Sequence, residues 1–131
     1  MIPDEDELLV MGLAQLGGRG AAFTARRLRK DVHELQKTLA APIDQVFGSV
    51  VNLLESIGSV VARTGPADGQ ALVRGVFGSG AMNLNPAVVT VSMSSAADGG
   101  TVLHIRGAAK EGLIKQHAGE KAAKRLESLI S

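Results

Sequence analysis

The stretch AVVTVSMSSAADGGTVLHIRG, residues 87–107, constrains the fold more strongly than any other part of the chain. Apolar and polar residues alternate in two runs, as they do in strands that bury one face. The pattern places Val91 and Met93 on the apolar face of the first strand and pairs them with Ile105 and Leu103 in the second. It predicts an antiparallel hairpin whose apolar face needs a second layer packed against it.

The turn between the two runs fixes their pairing. The three-residue loop Ala97-Asp98-Gly99 ends in a glycine, which can take the left-handed conformation that such a loop requires. This loop length pairs Ser92 with His104 and Thr90 with Arg106 on the polar face. A slip of one residue would mix the two faces, so the alternation supports the loop length.

The rest of the chain predicts the partners of this hairpin. Further strands are expected at about 59–64 and 70–77, before those at about 87–94 and 101–107. Residues 42–57 and 112–130 have apolar residues at helical spacing and predict two helices. From residue 32 onward we therefore expect the order β-α-β4-α. This is an α+β fold, with an antiparallel meander sheet of about five strands and two helices on one face, preceded by an amino-terminal helix.

The segment over residues 32–40 fits two structures, a helix and an edge strand. Val32, Leu35 and Leu39 fit one face of a helix. Leu35, Lys37 and Leu39 equally fit one face of an edge strand, with polar residues between them. We predict a strand over about 33–40.

The amino-terminal part, residues 1–31, is predicted to be a helix and a basic connecting arm that precede a single α+β domain over residues 32–131. Asp4 can cap a helix over about 4–16, in which four leucines recur at helical spacing: Leu8, Leu9, Leu13 and Leu16. The arm carries Arg26, Arg27, Arg29 and Lys30. It is either solvated and neutralised by the acidic head of the same chain, or a docking arm for an acidic partner.

The final helix contains two residues of special interest. Gly119 inside it costs about 1 kcal/mol against alanine, and it would let the helix approach the sheet closely. His117 is predicted to be a partly buried residue of this helix. His33, His104 and His117 lie in three different elements without the spacing of a metal site, so we expect no metal and no cofactor.

Composition excludes several functions. The chain has no cysteine, so it has no disulfide, thiolate ligand or cysteine nucleophile. A net charge of +1 and the absence of Trp and Tyr argue against nucleic acid as a partner. No catalytic or phosphate-binding motif is present, which argues against an enzyme. The amino terminus is acidic and its apolar run is short, so we expect no membrane span and a cytoplasmic protein.

The segment LAAPIDQVFGSVVNLLESIG resembles the start of Bet v 1-like (helix-grip, START-related) domains through Ala41, Pro42, Gln45, Val46 and Phe47. The resemblance implies a curved sheet that grips a helix over an apolar cavity, with lipids or other hydrophobic small molecules as ligands. Helix-grip domains carry more strands than the five expected here, so the final helix could instead pack directly on the sheet. The strand count also suits a TBP-like arrangement, and the tail GAAKEGLIKQHAGEKAAKRL resembles the end of small uncharacterised bacterial proteins.

Three hypotheses about function follow. The first is a non-enzymatic module for a hydrophobic small molecule, with candidate ligand-binding residues Phe47, Phe77, Met82, Leu84 and Met93. The second is a protein-interaction or self-assembly module that forms a homo-oligomer through the four leucines of the first helix. The third is an anion or nucleic-acid binder that uses Arg74, His104 and Arg106 of the polar sheet face together with the basic arm. The alternative is that this face is only solvated.

Overall fold

The computed structural model describes residues 3–17, 29–79, 85–111 and 117–130. These residues form three helices and five strands, and the predicted α+β fold is confirmed. In chain order the elements are α1 (Glu5–Gly17), β1 (Arg29–Leu39), α2 (Ile43–Ile57), β2 (Ser59–Ala67), β3 (Gln70–Ser79), β4 (Asn85–Ser95), β5 (Thr101–Glu111) and α3 (Ala118–Leu129).

The five strands form one antiparallel sheet in the order β1-β5-β4-β3-β2. The predicted register of the last hairpin is confirmed, because Met93 pairs with Leu103 and Ser92 pairs with His104. Gly99 has a φ of 88°, which is the left-handed conformation expected for the loop. Strands β2 to β5 therefore form the predicted meander, and β1 joins it at the free edge of β5.

One predicted boundary is wrong. Strand β1 begins at Arg29 rather than near residue 33, since Arg29 and Lys30 already pair with the end of β5. Residues 112–116 of the predicted final helix lie outside the described residues, and α3 is described from Ala118, directly after His117, whose backbone is left-handed with a φ of 53°. His117 is consequently exposed and is not the partly buried helix residue that we expected. The division of the chain at residue 31 stays a prediction.

The main core lies between one face of the sheet and helices α2 and α3. We call this the first face. Helix α2 buries Val46, Val50, Val51 and Leu54 there, and α3 buries Ala118, Ala122, Ala123 and Leu126. Leu35 and Leu39 of β1 pack against the same core, which agrees with the strand interpretation of this segment.

Helix α3 lies directly on the sheet, and two glycines make this approach possible. A methyl group at Gly119 would lie 2.2 Å from the carbonyl oxygen of Asp31 and 2.9 Å from that of Gly107. A methyl group at Gly107 would lie 2.2 Å from the carbonyl oxygen of Gly119. All three distances are below van der Waals contact, so the structure leaves no space between α3 and the sheet at this point.

Strand β1 holds both ends of α3. At the amino-terminal end, the backbone N–H of Glu120 donates a hydrogen bond to a carboxylate oxygen of Asp31 at 3.0 Å. At the carboxyl-terminal end, the Lys37 ammonium donates to the carbonyl oxygens of Glu127 and Ile130. An anion at the start of a helix and a cation at its end both match the helix dipole. The charged residues of β1 therefore fix where α3 begins and ends.

Helix α1 lies on the opposite face of the sheet, which we call the second face. Its N-cap is Asp4, whose carboxylate accepts a hydrogen bond from the Asp6 N–H at 2.7 Å, as predicted. Leu9 is fully buried, and it packs with Val88 and Ala108 of the sheet. The sheet is thus covered on both faces, whereas the sequence predicted helices on one face and assigned no place to the first helix.

The close contact at Gly119 gives the first test of this fold. Gly119→Ala should lower the free energy of unfolding by about 1–3 kcal/mol, the usual cost of overpacking, because the methyl group meets backbone atoms that cannot move aside. Gly48→Ala in α2 is the matched control. The space around Gly48 is open to 4 Å, so this change should stabilise the helix by up to about 1 kcal/mol.

Urea unfolding followed by circular dichroism measures both changes. A Gly119→Ala variant at least as stable as the original protein would contradict the direct packing of α3 on the sheet.

Candidate functional site

The second face consists of four rows of side chains that cross strands β3, β4, β5 and β1. The strand register defines them as row A (Gln70, Ser94, Val102, Thr38), row B (Leu72, Ser92, His104, Gln36), row C (Arg74, Thr90, Arg106, Glu34) and row D (Val76, Val88, Ala108, Val32). Successive rows lie about 6.6 Å apart, since side chains on one face recur every second residue.

Helix α1 covers rows C and D only. Leu8 and Leu9 pack on the apolar residues of row D. The start of the helix lies over row C, where Arg74 donates a hydrogen bond from Nη1 to the carbonyl oxygen of Pro3 at 2.7 Å. The second face is therefore divided into a covered half and an open half.

An acidic residue of α1 neutralises two cations of the covered half, Arg106 and Lys30. The Glu5 carboxylate accepts hydrogen bonds from Nε and Nη2 of Arg106 at 3.1 and 3.2 Å. It also accepts one from the Lys30 ammonium at 3.0 Å. The Glu5 side chain is only 10% exposed, so these charge-assisted bonds are partly shielded from water. Part of the basic arm is thus neutralised by the acidic head, as one of the two interpretations predicted for Lys30.

Two opposing effects act on the pKa of Glu5. Burial disfavours the charged carboxylate and raises the pKa, but the hydrogen bonds and positive charges of Arg106 and Lys30 together lower the pKa by more than burial raises it. The net pKa lies below the ordinary value for glutamate. Glu5 is therefore ionised at neutral pH, and it stabilises the position of α1 on the sheet.

Arg74 differs from Arg106 in its partners. Its Nε donates to the Thr90 hydroxyl at 2.8 Å and its Nη1 donates to the Pro3 carbonyl, and both acceptors are neutral. Within residues 3–17, 29–79, 85–111 and 117–130, no carboxylate lies within ion-pair distance of Arg74. Arg74 thus carries a half-buried positive charge that the described part of the chain does not pair.

The predicted anion-binding residues share the second face but have different surroundings. Arg74 and Arg106 lie in row C, on either side of Thr90, and His104 lies in row B. Arg106 is bound by Glu5 and also donates to Glu34 at 3.1 Å. His104 is exposed and lies 3.9 Å from the same Glu34 carboxylate. Carboxylates of the chain itself thus lie beside Arg106 and His104, and anion binding by these three residues stays a prediction.

The open half of the second face contains a groove of about 470 Å³. Leu72 and Val102 supply apolar side chains to it, and Ser92 and His104 supply polar groups. The end of β2, residues Thr64–Ala67, borders the groove on one side. A concave surface with mostly apolar walls and a few polar groups is typical of small-molecule sites.

Two of the predicted ligand-binding residues lie away from this groove: Phe77 is buried in the core of the first face, and Phe47 packs against that core. Met93 is buried in the same core and also borders the groove. The guanidinium of Arg125 also lies over the Phe77 ring, 5.4 Å from its centre. Met82 and Leu84 lie outside the described residues. The sequence suggested a cavity under the final helix, but α3 fills the space above the first face at Gly119. The groove described above lies on the second face instead. Ligand contact by the predicted residues stays a prediction.

Part of the predicted interaction helix packs on the chain's own sheet. Leu9 is fully buried and Leu8 is half-buried against the second face, so neither is free to pack on another copy. The side chains of Leu13 and Leu16 lie outside the described part of the structure. The reason for expecting a second copy, a helix with no place on the sheet, is therefore removed for the first half of α1.

Residues 3–17, 29–79, 85–111 and 117–130 contain no cluster of three or more His, Asp or Glu side chains able to bind a metal ion. The helices within these ranges are all too short or too polar to cross a membrane.

Comparison with known proteins gives little further information. No protein-family model matches the chain. No curated protein matches it either. A solved structure, the Mll3558 protein from Rhizobium loti, aligns with a TM-score of 0.42 and 13% sequence identity over 77% of this chain and 94% of that one. The resemblance to Bet v 1-like domains therefore stays a prediction.

Two residues of the second face and its covering helix, Leu72 and Glu5, were not predicted from the sequence as part of a site. Leu72 could have been found, because it lies two positions before Arg74 and so shares its face of the strand. Glu5 could not have been found as the partner of Arg106, since 101 positions separate the two residues and no local pattern relates them.

The Glu5 interactions predict a pH-dependent contribution to stability. Glu5→Gln should lower the free energy of unfolding by about 1.5–3 kcal/mol at neutral pH, the usual range for hydrogen bonds to charged groups. Because the folded-state pKa is lowered, this contribution is complete above the ordinary glutamate pKa and is lost as the pH falls through the lowered value. The two proteins should therefore converge in stability in acid.

Urea unfolding at a series of pH values measures this difference. Glu7→Gln, an exposed change in the same helical turn, should leave stability nearly unchanged. A Glu5→Gln difference of constant size down to the lowest pH would show that the contribution does not come from the ionised carboxylate.

Proposed function

We propose that this chain is a non-enzymatic binding module for a small apolar molecule, which binds in the groove on the open half of the second face. The observation that carries this proposal is the groove itself, with Leu72 and Val102 among its walls. Its volume of about 470 Å³ lies within the range of about 300–1,000 Å³ that is usual for small-molecule sites. A cytoplasmic location stays a prediction from the sequence.

The covered half of the face supports this position for the ligand. Helix α1 already covers Val76, Val88 and Ala108 of row D, and the groove beside it lies in rows A and B. The hydroxyl of Ser92 and the imidazole of His104 border that surface and can orient a polar end of the ligand. No catalytic pair is needed for this role, since binding requires only apolar area and a few hydrogen-bonding groups.

Binding of the neutral dye N-phenyl-1-naphthylamine tests this proposal. Leu72→Ala removes most of one apolar wall, and burial of each methylene group contributes about 0.8 kcal/mol. The change should therefore weaken dye binding by roughly tenfold or more. Val32→Ala is the matched control, because Val32 lies on the same face in row D, at the sheet edge and outside the groove.

Fluorescence titration of the three proteins gives the dissociation constants. Equal weakening by the two substitutions would indicate nonspecific adsorption to the sheet, and absence of dye binding to the original protein would reject the groove as an apolar site.

A further inference from the structure

The row next to the groove contains Arg74, which forms no ion pair with the carboxylates of the described residues. Leu72 in row B and Arg74 in row C are two positions apart on β3, so their side chains leave the same face about 6.6 Å apart. A molecule that lies on Leu72 can thus place its end against Arg74 without leaving the sheet surface.

Arg74 has hydrogen-bonding capacity for an anion. A guanidinium carries five N–H donors in a planar fork and stays protonated at all physiological pH values. The two acceptors of Arg74, the Thr90 hydroxyl and the Pro3 carbonyl, are both neutral. A half-buried guanidinium with neutral acceptors gains most from a carboxylate, which forms shorter and stronger charge-assisted bonds.

Row C already binds one carboxylate. Glu5 contacts Arg106 through both of its oxygens, in a two-bond arrangement with Nε and Nη2. That carboxylate arrives from α1, whose backbone also supplies the Pro3 carbonyl that Arg74 binds. The start of α1 thus supplies a carboxylate to Arg106 and a neutral carbonyl oxygen to Arg74.

We propose that the ligand is an amphiphile with a single carboxylate, whose apolar chain lies in the groove and whose carboxylate binds Arg74 and competes with Glu5 for Arg106. The inference rests on the proposed function, because it needs an apolar chain in the groove. It adds the chemical class of the ligand and a reason for the acidic start of α1.

A matched pair of ligands separates the two proposals. Decanoate and 1-decanol have the same chain length and differ in the charge of the head group. Displacement of N-phenyl-1-naphthylamine measures the affinity of each. The original protein should bind decanoate about tenfold or more tightly than decanol, which is the range expected for a hydrogen bond to a charged group.

Three variants assign this preference to residues. Arg74→Gln should remove the preference for decanoate and leave decanol binding unchanged, and Arg74→Lys should restore part of it because the charge is kept. Glu5→Gln should raise the affinity for decanoate several-fold, since the internal competitor is lost. Arg63→Gln is the control, because Arg63 is an exposed arginine of β2 that pairs with Glu55.

A salt titration of the original protein requires no variant to fold. Decanoate affinity should fall as the salt concentration rises, whereas decanol affinity should not fall.

The outcomes distinguish the two proposals. Equal binding of decanol and decanoate would overturn the carboxylate proposal and leave the groove as an apolar site. A preference for decanoate that persists in Arg74→Gln would overturn the assignment to Arg74, and an unchanged decanoate affinity in Glu5→Gln would overturn the competition. Failure of both ligands and of the dye to bind would overturn the proposed function as well.

Discussion

The register in which β4 pairs with β5 determines which side chains reach each face of the sheet. Met93 and Leu103 pair on the first face, and Ser92 and His104 pair on the second. A shift of one residue would exchange the two sets, bury the imidazole and expose the core. The positions of the helices and of the groove all follow from this division, because each packs on the side chains that the register presents to it.

The two faces are covered to different extents. On the first face, α3 approaches so closely at Gly119 that the backbones of helix and sheet are in contact, and Asp31 and Lys37 hold its two ends. On the second face, α1 reaches only rows C and D. Its acidic residue Glu5 neutralises Arg106 in row C, but Arg74 in the same row has neutral partners. The open rows therefore lie next to an arginine that no carboxylate in the described part of the chain pairs, which is why we propose that the ligand binds there.

Patterns within a strand or across a short turn could be predicted from the sequence, and contacts between distant segments could not. Alternation around Met93 and Leu103 and a glycine at position 99 were sufficient for the register. The position of α1 depends on a fit between Leu9 and Val88, which lie far apart in the chain and are both ordinary core residues. The groove depends on where β2 runs relative to Leu72, and the start of α3 depends on the backbone of His117; neither has a local sequence signal.

The central claim is that the ligand binds on the second face rather than under the final helix. Intermolecular NOEs from bound N-phenyl-1-naphthylamine to assigned methyl groups of the protein measure this directly. The account predicts NOEs to the methyl groups of Leu72 and Val102, on the open half of the second face. NOEs confined to the methyl groups of Leu103 and Leu126, in the core of the first face, would contradict it.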